Sequence, residues 1–251
     1  MAEANARTRS NSTAPLPDWV KIAPMPSRLL INEIFHSIQG ESTYAGLPCI
    51  FVRLRGCHLR CSWCDTTYAF NEGDTRTVDD VLRDVLAIPT DLVEITGGEP
   101  LLQDSVQELM VALCDAGRTV LLETSGACDI SVCDPRVIRI MDLKPPGSGE
   151  CDRNDMANID RLRSQDEVKF VIGDRGDYEW SVALIKQHNL AERVDAILLS
   201  PVYETAPDMH ITGHPGLEPS TLAAWMLEDG IPARLQTQMH KSIWHPTTRG
   251  V

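Results

Sequence analysis

The chain has 251 residues, 43% of them hydrophobic, and a formal net charge of −13. That length can bury a sizeable core, and the acidic balance argues against a protein that grips a phosphate backbone through a basic face. No apolar run approaches the roughly 20 residues of a membrane span, so neither nucleic acid nor membrane is an expected partner.

Residues 1–27, "MAEANARTRSNSTAPLPDWVKIAPMPS", lack helical or strand periodicity and any secretory apolar region. They are expected to form a flexible extension, with residues 28–251 a single domain. From Leu29 onward short apolar runs alternate with amphipathic ones. "LLINEIFHSI" and "CIFVRLRG" read as strands, and "TVDDVLRDVLAI" as a helix capped by its threonine. The strand "LVEIT" precedes the helix "SVQELMVALCDAG", which ends at Gly117. Strands "TVLLET", "VIRIMDLK" and "EVKFVI" follow, then the helix "YEWSVALIKQHN", with Asp177 expected as its cap. The strand "AILLSPV", the helix "PSTLAAWMLEDG" and the strand "ARLQTQ" complete the pattern.

Strands that alternate with helices build parallel sheets through right-handed crossovers. About six such units are too few for a closed eight-fold barrel. The expected fold is α/β, a partial, open parallel (β/α)6-type barrel with its chemistry at the C-terminal strand ends.

The eight cysteines are Cys49, Cys57, Cys61, Cys64, Cys114, Cys128, Cys133 and Cys151. Without a secretory signal the expected location is the reducing cytoplasm, where disulfides are rare. "RGCHLRCSWCDTTYAF" places Cys57, Cys61 and Cys64 within eight residues. Three readings are open at this point. A disulfide would leave one thiol over. A zinc site would need a further ligand, such as His58 or Cys49. An iron–sulfur cluster held by three thiolates would leave one iron open to a ligand. The triplet follows a strand and Gly56 permits a turn. Arg53, Arg55 and Arg60 bring positive charge, and Trp63 offers shielding from water.

The Cys-x3-Cys-x2-Cys spacing resembles the signature of radical S-adenosylmethionine enzymes. The resemblance implies a four-iron, four-sulfur (4Fe-4S) cluster on Cys57, Cys61 and Cys64, with S-adenosylmethionine (SAM) chelating the remaining iron. "TGGEP", residues 96–100, is similar to the segment that meets the methionine end of SAM. Within that superfamily, the chain from about residue 29 onward resembles the 7-carboxy-7-deazaguanine synthase family of the queuosine pathway.

That resemblance implies SAM contacts from Trp63, Cys64, Asp65, Gly98, Glu99, Thr124, Ser125, Asp142, Leu143 and Lys144. It implies a pocket for 6-carboxy-5,6,7,8-tetrahydropterin lined by Ile38, Gln39, Gly40 and Glu41 of "HSIQGES", by Arg53 facing the substrate carboxylate, and by Thr96. Gln236, His240 and the terminal Val251 are expected near the substrate, Thr66 as an Mg²⁺ ligand, and "LLSPVY" around the adenosine. The implied reaction splits SAM with one electron, abstracts a hydrogen from the pterin, contracts its ring and releases ammonia. A low-potential donor such as flavodoxin and a homodimer are implied as partners. The alternatives kept open are a glycyl-radical activase, which acts on a protein backbone, and a structural protein whose thiolates hold zinc.

Overall fold

The structure, a computed structural model, describes residues 26–203 and 215–251. The expected N-terminal extension therefore lies, up to residue 25, outside the described residues. The elements in chain order are β1 (Arg28–Ile38), β2 (Pro48–Leu54), β3 (Asp74–Thr77), α1 (Val78–Leu86), β4 (Leu92–Gly97), α2 (Val106–Asp115), β5 (Thr119–Thr124) and β6 (Ile138–Asp142). They continue with α3 (Asn158–Arg161), β7 (Glu167–Ile172), α4 (Arg175–Gln187), β8 (Ala196–Pro201), α5 (Pro219–Asp229), β9 (Arg234–Leu235) and α6 (His240–Ile243).

The nine strands among the described residues form one unclosed sheet in the order β3-β1-β2-β4-β5-β6-β7-β8-β9. From β2 to β9 every pairing is parallel. This is the expected partial barrel. The antiparallel edge made by β1 and β3 was not anticipated. "ARLQTQ" shrinks to the two-residue β9, and α4 begins at Arg175, earlier than its apolar pattern indicates. Its cap is Asp174, whose side chain accepts from Asp177 N at 2.9 Å. Asp177, expected in that role, instead accepts from Gly147 N at 2.7 Å and Gly173 N at 3.0 Å, tying α4 to the loop after β6. Thr77 caps α1 as expected, accepting from Asp80 N at 3.1 Å.

Side-chain alternation gives the sheet two faces. Ile50, Val52 and Leu54 of β2, Val93 and Ile95 of β4, and Val120 and Leu122 of β5 pack outward against Val78, Val81 and Val85 of α1 and against α2. Val168, Phe170 and Ile172 of β7 and Ile197 and Leu199 of β8 pack outward against α4 and α5. Each such side chain stabilises the fold by about 1.5–3 kcal/mol through its removal from water. The opposite face carries a smaller apolar plug of Cys49, Phe51, Leu92, Leu121 and Ile140.

Strand β1 changes face partway along. Its pairing with β2 slips between Ile31 and Glu33, which leaves Asn32 as an extra residue. Leu29 and Ile31 therefore join the outer core, whereas Phe35 stacks on Phe51 at 4.8 Å on the inner side. Glu33 reaches Arg53 there, at 2.7 Å. On the outer side Arg139 is buried against Asp166. Its guanidinium also donates to Ile130 O and Arg161 O at 2.9 and 2.7 Å, so the buried pair is hydrogen-bonded throughout.

Candidate active site

The parallel strands end on one side of the sheet, and the loops that leave them surround a cavity of about 260 Å³. A second lobe of about 580 Å³ adjoins it through Phe35, Arg53, Asp65, Thr66, His240, Lys241 and Val251, which line both.

Cys57, Cys61 and Cys64 sit on the loop after β2, and all three line the cavity. Gly56 turns the chain into this loop with φ of +98°. The loop is pinned on two sides. Glu99 N donates to Gly56 O at 2.9 Å, Ser62 N to Ser148 O at 2.9 Å, and Arg60 N to Glu150 Oε1 at 2.6 Å. Leu59 and Trp63 are buried beneath it. Burial pushes the Cys61 thiol up to about 11, and the thiols of Cys57 and Cys64 upward as well. Metal binding here must displace protons. The other five cysteines do not line the cavity, and all eight are free thiols. Among the described residues no group of three or more His, Cys, Asp or Glu converges on one ion; thiolates that each serve a different iron need no such convergence.

The glycine pair of "TGGEP" answers a packing demand. A Cβ on Gly97 would lie 2.2 Å from Leu54 O, and one on Gly98 would lie 2.1 Å from Gly56 O and 2.7 Å from Cys57 Cβ. The close approach expected toward a ligand is thus made first toward the cysteine loop.

Most of the expected site residues meet at this cavity. Of the residues expected to contact SAM these are Trp63, Cys64, Asp65, Gly98, Thr124, Ser125, Asp142 and Lys144. Of those expected near the substrate they are Ile38, Gln39, Gly40, Glu41, Arg53, Thr96, His240 and Val251, and Thr66, the expected Mg²⁺ ligand, lines it too. Glu99, Leu143 and Gln236 do not line it. Glu99 and Leu143 are fully buried, and Gln236 stands behind the wall, accepting from Ser42 N at 2.6 Å and donating to Glu41 at 3.2 Å. Arg55, expected to bring positive charge to the cysteines, lies past the end of β2, donates toward Gly73 O at 3.5 Å and does not line the cavity.

The polar groups are extensively paired. Lys169 Nζ donates to Glu41 Oε2 at 2.8 Å and to Glu123, and lies 3.6 Å from Asp142. Lys144 Nζ contacts Asp142 Oδ2 at 2.9 Å. Burial is the largest single influence and would raise the Glu41 carboxyl, but Lys169, His240 and Gln238 together outweigh it and hold Glu41 down at about 2. Asp65 accepts from Lys241 at 2.6 Å, and against burial, the largest single influence, that ammonium together with hydrogen bonds from Thr66 and Gln238 holds Asp65 well below the usual carboxylate range. The Thr66 hydroxyl donates to Asp65 Oδ1 at 3.0 Å. Asp142 Oδ1 is buried without a hydrogen-bond partner. Gly40 is needed because a Cβ there would stand 2.3 Å from His240 Nδ1.

Sequence reasoning missed Glu94, Lys169, Gln238 and Lys241, all of which line the cavity. For Glu94 and Lys169 a signal was present. Each is a charged residue in the interior of a largely apolar strand, "LVEIT" and "EVKFVI", and such a residue requires a buried partner. Gln238 and Lys241 carry no comparable mark.

A family model described as the radical SAM superfamily matches residues 51–187. A 7-carboxy-7-deazaguanine synthase of Koribacter versatilis is 44% identical over 224 residues, which is 88% of this chain and 99% of the relative. The synthase of the same name from Chlorobaculum tepidum is 44% identical over 226 residues, 89% of this chain and 97% of that one. Among solved structures, QueE from Escherichia coli superposes with a TM-score of 0.60 at 24% identity, covering 85% of this chain and 95% of its own, a likeness of fold.

Proposed function

The chain belongs to the radical SAM superfamily and, within it, to the 7-carboxy-7-deazaguanine synthases, and from that membership we propose that it contracts the ring of 6-carboxy-5,6,7,8-tetrahydropterin to 7-carboxy-7-deazaguanine with loss of ammonia. The observation that carries this reading is the joining of two halves in one cavity. Three cysteines on the loop after β2 line the same cavity as buried polar side chains of a kind suited to a nitrogen heterocycle.

The residues present suit a 4Fe-4S cluster and SAM. Three thiols from one short loop border the cavity, and the unpartnered Asp142 Oδ1 is an open acceptor for an amino or hydroxyl donor. Cys57, Cys61 and Cys64 would hold three irons. When bound, the two groups supply one-electron cleavage and hydrogen abstraction, chemistry that no side chain offers. Asp65, Gly98, Thr124, Ser125, Asp142 and Lys144 would bind SAM. Trp63, buried under the loop, keeps water from the thiolates.

The chain's own work on the substrate is orientation. Arg53 is fixed through Nε by Glu33 and lines the cavity, so its guanidinium is presented at a set angle to the substrate carboxylate. Gln39 and Glu41, themselves immobilised, bound the heterocycle, and Thr66 offers a hydroxyl oxygen to Mg²⁺ beside the carboxylate. We infer further that the electron comes from a low-potential donor such as flavodoxin, and that the chain works in the cytoplasm as a homodimer. No helix among the described residues is long and apolar enough to cross a membrane.

The test is anaerobic turnover of the carboxylated pterin with SAM and a reductant. The deazaguanine acid, formed by protein carrying about four irons per chain, supports the reading. SAM cleavage without that product rejects the substrate, and a preparation with zinc and no iron rejects the chemistry.

A further inference from the structure

Four carboxylates stand on the cavity floor, those of Glu41, Glu94, Glu123 and Asp142, with the ammonium groups of Lys144 and Lys169. Lys169 is shared by Glu41, Glu123 and Asp142, and Lys144 pairs with Asp142. Among the described residues no ion pair reaches Glu94 at all. Its Oε2 accepts from the neutral amide of Gln39, and it is 4% exposed. The Gln39 amide has its direction fixed by the Glu41 N–H, which donates to Gln39 Oε1 at 3.1 Å. Gln39 therefore turns its N–H toward Glu94 and its oxygen away, so it is a poor acceptor for a proton on Glu94.

The groups that face Glu94 from the surrounding elements are Glu41 after β1, the Cys49 thiol on β2, Glu123 on β5 and Lys169 on β7. Burial, then the charge on Glu123, drives the Glu94 carboxyl well above the usual range, and Lys169, already claimed three times, compensates only weakly. Of the four floor carboxylates, Glu94 is the one without a cation, so it is the natural seat for a proton.

We infer that Glu94 carries a proton in the resting enzyme and donates a hydrogen bond from its second oxygen to an acceptor on the substrate's pyrimidinone edge, which makes it a specificity-determining residue. The inference rests on the pterin reading above. A neutral acid supplies an O–H to the carbonyl or unprotonated ring nitrogen of that edge, acceptors an ionised carboxylate would repel, while the amino and ring N–H donors of the same edge are left to the ionised Glu41.

Two measurements on the full chain test this. The first is an infrared difference spectrum between wild type and Glu94→Gln at neutral pH. A protonated-carboxyl carbonyl band that shifts in heavy water is expected, and carboxylate bands in its place overturn the inference. The second is calorimetric binding of the carboxylated pterin in the presence of SAM. Glu94→Leu is expected to weaken binding about tenfold or more, because an acceptor loses its donor. Glu94→Gln, which keeps a neutral donor, is expected to restore most of that loss. Wild-type affinity is expected to fall as alkaline pH removes the proton, a limb absent from Glu94→Gln. Equal losses in the Gln and Leu variants overturn the donor role. A wild type that shows the infrared band but binds no pterin overturns the substrate reading and the assigned acceptor together.

Discussion

The Glu99 carboxylate accepts from Leu101 N at 3.0 Å, Ser125 N at 2.7 Å, Thr124 Oγ1 at 2.9 Å and the Ser125 hydroxyl. It lies outside the cavity, yet it fixes two residues that line it. Glu99→Leu strips these donors of their acceptor inside the protein, so a loss of about 3 kcal/mol or more is expected in urea unfolding. A raised KM for SAM should accompany it, since Thr124 and Ser125 lose their anchor. Glu41 makes a different kind of test. Its folded carboxyl sits at about 2, below the ordinary 4.5. A depressed acid contributes stability above its unfolded value and loses it as pH falls through the folded one. Wild type should therefore lose, on the order of 3 kcal/mol at most, stability between about pH 4.5 and about pH 2 that Glu41→Gln never had. Identical acid slopes for the two proteins would refute the Lys169–Glu41 pairing. At this scale it was legible in the sequence that Cys57, Cys61, Cys64 and Arg53 would border one cavity, because chemistry restricts the residue types: thiols where iron is proposed, a guanidinium where a carboxylate is. Whether such a residue faces the cavity or braces a neighbour was not legible, as Glu99 and Gln236 demonstrate, because that depends on the backbone N–H groups folded around it.

Elements were legible where the apolar period was sustained. The longer strands and helices of the parallel region follow apolar runs or a 3.6-residue repeat that core burial enforces. The failures have local causes. Strand β3, "DTRT", has no apolar alternation and exists because its backbone pairs with β1. The face change in β1 comes from one unpaired residue, Asn32, and a pattern of apolar residues does not reveal a bulge. Where β4 meets the cysteine loop, the fit is between backbones. Gly98→Ala would force a Cβ to within 2.1 Å of Gly56 O, so the loop must move away from β4 and carry Cys57 with it. The expected outcome is a lower iron content after anaerobic reconstitution, together with a lower Tm. Gly46→Ala is the control. It has a positive φ, +93°, that Gly98 lacks, but its Cβ meets nothing within 4 Å, so it should cost about 1 kcal/mol and leave iron content unchanged. If both variants load iron equally, the glycine pair does not position the cysteines.

An unclosed sheet leaves its cavity open along one side, and here the C-terminal segment crosses that side. It leaves β9 at one edge and returns to the loop after β1, where Met239 N donates to Gly40 O at 3.0 Å and Ser42 N donates to Gln236. Lys241 then pairs with Asp65, and Arg249 lies over the Tyr68 ring at 3.8 Å and pairs with Glu72 at 2.8 Å. Both partners in the last pair are half exposed, so it is worth little as stability. The gain from closure is exclusion of water and a fixed wall for the substrate. Truncation after Trp244 leaves His240 and Lys241 in place but removes His245 to Val251, which line the larger lobe. Such a chain should keep its iron and still cleave SAM. Its KM for the pterin should rise about tenfold or more, and a larger share of the SAM it cleaves should yield no deazaguanine product. A truncated protein with unaltered KM and unaltered coupling would mean that the sheet and its loops bind the substrate unaided, and that the strap from β9 back to β1 serves folding alone.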